Sequence, residues 1–144
     1  MPEMETTSIE ALILANHVEA INGLLYISGG GWTDMHRRIQ DNAVPPSHFG
    51  VGVSIRVPWH ETNEDHTIMI EVQHEDSTLT VARAEGTMKL GRPPQLTRGD
   101  IQHAVIAMSV DTIFPDAGGY RVIARLDGDK VTVTWPFRVH DVRA

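Results

Sequence analysis

The residues best suited to chemistry lie between positions 60 and 76. His60, Glu61, Asn63, Glu64, Asp65 and His66 come first, and His74, Glu75 and Asp76 follow. Imidazole and carboxylate groups are good ligands for zinc and other divalent ions. If residues 59–66 form a hairpin loop, His60 and His66 face each other near its base. This nominates His60, Glu61, His66 and His74 as candidate metal ligands. A divalent metal is then the only cofactor the sequence suggests. The competing reading is a solvated acidic turn. It is the simpler one, because no fixed metal spacing such as His-Glu-x-x-His occurs.

Other chemistry has less support. Ser28-Gly-Gly-Gly31-Trp32 is glycine-rich but lacks the Lys-Ser or Lys-Thr of a phosphate loop. It reads better as a bulge or a close backbone crossing. Ser28, Ser47, Ser54 and Ser109 can be matched on paper with histidines, but no Gly-x-Ser-x-Gly elbow supports a hydrolytic enzyme. Trp32 is either a core plug or a ring presented to a ligand or partner. Arg92-Pro-Pro94 reads as a rigid connection, or as a segment a polyproline-binding partner would recognise.

Bulk properties narrow the classes further. The chain has 144 residues, enough for one domain with a sizeable core. Its net charge of −7 argues against binding a phosphate backbone, so no nucleic-acid partner is expected. There is no cysteine, hence no disulfide or thiolate site. The start lacks a basic signal region, and Leu12-Ile13-Leu14-Ala15 is too short to span a bilayer. A cytoplasmic protein without a membrane partner is expected. Residues 1–8 read as a mobile start and 9–144 as one domain.

The elements that must position these residues are strands. Phe49, Val51, Val53, Ile55, Val57 and Trp59 alternate with Gly50, Gly52, Ser54, Arg56 and Pro58. Only a strand with one buried face needs that pattern. Asn22-Gly23 predicts a type I′ hairpin between strands near 11–20 and 24–29. Residues 33–48 show no clear period. Strands follow at 66–75, with Ile68, Ile70 and Val72 inward, and at 79–90. In the latter the apolar phase slips, which predicts a bulge near Ala82 or Gly86. Ile101 to Val110 is apolar in both phases, so it is either covered on both faces or an exposed interface. A last hairpin joins Tyr120–Leu126 to Val131–Val139 through Asp127-Gly-Asp129. Pro58 and Pro136 call for strand ends, edges or irregular pairing. The sum is an all-β, antiparallel sandwich of about eight strands.

The segment order resembles a family of small bacterial proteins of unknown function with an immunoglobulin-like β-sandwich. The resemblance rests on Ala15–Trp32, Val57-Pro-Trp-His-Glu-Thr-Asn63, Gly91-Arg-Pro-Pro94, Gly119-Tyr120 and Pro136-Phe-Arg-Val139. It implies the fold and no reaction. The expected function is a non-enzymatic binding or assembly module that takes a protein partner or itself. Ile101, Val105 and Trp32 are the candidate partner-binding residues, with a homodimer as one outcome. The alternatives are a small-ligand or divalent-metal-binding protein using the 60–66 loop and, with less support, a hydrolytic enzyme.

Overall fold

The computed structural model describes residues 6–143. Its strands are β1 (Ser8–Ile21), β2 (Leu24–Gly30), β3 (Asp34–Ile39), β4 (Ser47–Pro58), β5 (Asp65–His74), β6 (Thr80–Lys89), β7 (Ile101–Thr112), β8 (Gly118–Leu126) and β9 (Val131–Arg143). A 3-10 turn, Trp59–Glu61, follows β4. Two sheets result, ordered β2-β1-β4-β7 and β3-β9-β8-β5-β6.

β4 explains its own alternation. Phe49, Val51, Val53, Ile55 and Val57 are fully buried and share one core with Ile70, Val72, Val122, Leu126 and Phe137 of the second sheet. Each such side chain contributes about 1.5–3 kcal/mol on burial. The opposite row starts with Gly50 and Gly52, and these are buried as well. The reason is the β1–β2 hairpin. β1 pairs with β4 up to Ala15 and from there continues with β2. The hairpin then bends over the outer face of β4. A Cβ on Gly50 would lie 2.7 Å from the Val18 nitrogen and 3.2 Å from the His17 carbonyl carbon. One on Gly52 would lie 3.1 Å from Val18 Cγ1. The close approach therefore requires Gly50 and leaves little room at Gly52. The turn at the hairpin tip is as expected, with φ of 50° at Asn22 and 76° at Gly23.

The doubly apolar strand is β7. Its register with β4 turns Ala104, Ile106, Met108 and Val110 toward the core. Ile101, Val105 and Ala107 share the outer face with Pro58, Ser54 and Gly52. β2 comes close to β7 across that face. The phase slip is also present, as a register shift opposite Val72–Gln73 that leaves Val81 unpaired between Thr80 and Ala82. Pro58 closes β4. Pro136 lies where β9 has β8 beside it but not yet β3, whose pairing begins at Arg138.

Two expectations need correction. The described residues form nine strands rather than eight, and β3 falls in the stretch that shows no period. β3 also runs parallel to β9, so the second sheet is mixed rather than wholly antiparallel. The physical cause is Arg37. Met35, Arg37 and Ile39 face inward, and Arg37 is 5% exposed. Its Nε donates to Asp141 and its Nη1 to the Phe114 carbonyl. A buried charge satisfied on both sides hides the alternation. Of the expected mobile start, residues 1–5 lie outside the described residues. Thr7 is buried, with its amide donating to Glu61 at 2.6 Å.

Gly50→Ala will destabilise the fold by about 1–3 kcal/mol, because the new methyl meets backbone rather than a flexible side chain. Urea unfolding measures this. An unchanged midpoint would mean that the hairpin does not rest on β4.

Candidate functional site

The 59–66 corner is a closed clasp. His66 is the second residue of β5 and is buried, at 2% exposure. Its Nδ1 lies 3.0 Å from Asp127 Oδ2 and its Nε2 lies 2.9 Å from the Glu61 carbonyl. A carboxylate and a carbonyl can only accept, so both ring nitrogens donate and the ring is an imidazolium. It therefore has no lone pair left for a metal ion. From the other side, Arg92 Nε donates to Thr62 Oγ1 at 2.8 Å and Nη2 to the Trp59 carbonyl at 2.9 Å. The Arg92 guanidinium also stacks 3.8 Å over the Trp59 ring. Arg92-Pro-Pro94 is thus a rigid connection that holds the corner shut.

The remaining nominated metal ligands are spread out. His60 is half-buried in the 3-10 turn. Glu61 is engaged by Thr7 through its carboxylate and by His66 through its carbonyl. His74 is at the far end of β5, eight residues from His66, which at strand rise is about 26 Å. There it pairs with Asp76 at 2.8 Å and packs edge-on against Tyr120. Hydrogen bonds from the Thr78 hydroxyl and amide pull the Asp76 carboxyl down to about 2. Among the described residues, no three His, Asp or Glu side chains gather to hold a metal.

The nominated partner residues fall in two places. Trp32 is half-buried and packs edge-to-face on Phe49 and Phe137, at 6.0 Å and 5.9 Å. Its carbonyl accepts from Trp135 Nε1 at 3.0 Å. Ile101 and Val105 are half-buried on the outer face of β7, an edge strand.

A polar face escaped the sequence reading altogether. Asp34 and His36 of β3, Arg138 and His140 of β9 and Arg121 of β8 share the outer face of the second sheet. His140 Nε2 lies 2.7 Å from Asp34 Oδ1, and the His36 and His140 rings stack at 4.9 Å. The His140 hydrogen bond holds the Asp34 carboxyl below its usual range. These residues are scattered in sequence and meet through the parallel β3–β9 pairing. The sequence signal was the basic cluster His36-Arg37-Arg38, which does not disclose that pairing.

The fold is an all-β, two-sheet architecture. The chain belongs to a family of unknown function (DUF6941), which it matches over residues 10–140. No curated protein matches it. Among solved structures it is similar to part of a β-glucosidase from Listeria innocua in complex with gluconolactone, at 8% identity and a TM-score of 0.49. That match covers 96% of this chain and 16% of the other. Among the described residues, no helix is long and apolar enough to cross a membrane.

The clasp gives a pH signature. Burial opposes charge on His66, but the Asp127 hydrogen bond, the Glu61 carbonyl and the two carboxylates outweigh it and raise the pKa above 6.5. A raised folded-state value stabilises fully below the unfolded pKa and is lost as pH rises through the folded one. The melting-temperature advantage of the native chain over His66→Gln will therefore shrink as pH rises from about 6 into the alkaline range. Parallel curves across that range would sink the imidazolium assignment.

Proposed function

We propose that this chain is a non-enzymatic binding and assembly module on an immunoglobulin-like sandwich. The strand order supports the fold reading, since β1-β4-β7 and β5-β8-β9 match the A-B-E and C-F-G sets of such domains. So does Tyr120, at the start of β8, whose hydroxyl donates to the Asp116 carbonyl at 2.7 Å. A tyrosine placed there is a hallmark of the corner that precedes strand F. The lack of cysteine fits a reducing, cytoplasmic setting.

One observation carries the assembly reading. β7 is a twelve-residue edge strand whose second edge pairs with no strand among the described residues. Edge strands are ordinarily blunted by Lys, Pro or a bulge. β7 contains neither Lys nor Pro, and its register with β4 is unbroken. Beside it the sheets part, leaving an apolar groove of about 330 Å³ lined by Ile68, Ile70, Met88, Ile106 and Met108. An antiparallel β7 from a second copy would complete the ladder across a two-fold axis.

Light scattering across a concentration series tests this. The native chain will run as a dimer. Val105→Lys will shift it to monomer, while Tyr26→Lys on the opposite edge strand will leave the mass unchanged. A native chain that stays monomeric at its highest soluble concentration would refute self-assembly through β7.

A further inference from the structure

The outer face of the β3-β9-β8-β5-β6 sheet carries two arginines that lack an ion-pair partner. Elsewhere in this sheet Arg37, Arg83 and Arg125 each pair with a carboxylate, from Asp141, Glu85 and Glu71. Among the described residues Arg121 and Arg138 have no such partner. The β8–β9 register sets Arg121 opposite Pro136 and Gly119 opposite Arg138. The two arginines are thus diagonal neighbours on one face, about 7–8 Å apart. Between them lies a cleft of about 530 Å³ floored by Gly119 and Pro136.

Arg121 is held from behind. Its Nη2 donates to Gln73 Oε1 at 3.4 Å and to Ser77 Oγ. Both acceptors are neutral, so no carboxylate is bonded to it, and its buried Nε–H has no acceptor. Two carboxylates also line the cleft. Asp34 is already bonded to His140. Glu75 lies over Gly119, where any side chain would collide with its carboxylate. That carboxylate has no hydrogen-bond donor among the described residues. The glycine therefore makes room for a loosely held internal anion beside two arginines.

We propose that this cleft binds an oxyanion, a phosphate or carboxylate group, between the guanidinium groups of Arg121 and Arg138, and that Glu75 is the internal group it displaces. Guanidinium forks match both oxyanions bidentately. The chain's net charge of −7 repels anions at long range, so capture depends on this local pair. The site is remote from the β7 edge and is independent of self-assembly.

Amide chemical shifts will be followed while inorganic phosphate and acetate are added in separate arms at constant ionic strength. At least one probe will give a saturable response centred on residues 119–121 and 136–138. A response to phosphate alone identifies a phosphate ester as the ligand class, and one to acetate alone a carboxylate. Arg138→Gln, at an exposed position, will weaken binding about tenfold, the worth of one charged hydrogen bond. Glu75→Gln will tighten it by removing the competing anion. No saturable response to either probe would overturn the proposal. So would an unchanged response in folded Arg138→Gln.

Discussion

The fold depends on one close approach, the crossing of the β1–β2 hairpin over β4 at Gly50 and Gly52. β4 is therefore buried on both faces, with five large side chains on one side and two absent side chains on the other. The crossing also accounts for its neighbour. Ile13, which would otherwise be an exposed apolar residue of β1, sits 3.2 Å from the space above Gly52. The outer face of the first sheet thus becomes a second, thinner apolar layer.

Among the described residues, Arg37 and His66 are the two buried basic side chains, and each is placed against one carboxylate and one carbonyl. Taking away one partner from such a site costs far more than the pair contributes, because the other charge is left desolvated. Both act as ties between distant segments: Arg37 joins β3 to β9 and to the segment before β8, and His66 joins the 59–61 turn to the β8–β9 turn. The aromatic cluster of Phe49, Phe114, Tyr120 and Phe137 fills the space beside the Arg37 tie.

What was legible in the sequence follows from this division. Where side chains alternate apolar and polar, as in β4 and in the β8–β9 hairpin, period alone located the strands. Asn22-Gly23 located a turn because only positive φ satisfies it. β3 was illegible because its central inward residue is an arginine, and the pattern has no term for a cation neutralised 104 residues away. The 60–76 cluster offered a metal site as the less simple reading, and its nominated ligands do not converge among the described residues. The extended strand carries His66 and His74 to opposite ends, which spacing in sequence does not disclose. The Arg121–Arg138 pair was invisible for the complementary reason: it exists only in the register between two strands.

The two outer faces of the sheets differ. The first sheet spends its outer face on its own hairpin and keeps one regular edge, β7, so what it offers a partner is backbone and apolar surface. The second sheet has no such cover. Even so, Ile123 on its outer face is only 3% exposed, because Glu71, Arg125 and Arg121 close around it. A polar network rather than a second layer shields that sheet, and a network can leave charges over. Glu71 and Arg125 neutralise each other, whereas the β3–β9 end keeps two arginines over a glycine floor. Packing therefore concentrates at one side of the molecule and unspent charge at the other. A ligand recognised by charge and a partner recognised by strand pairing would meet different surfaces of the same domain.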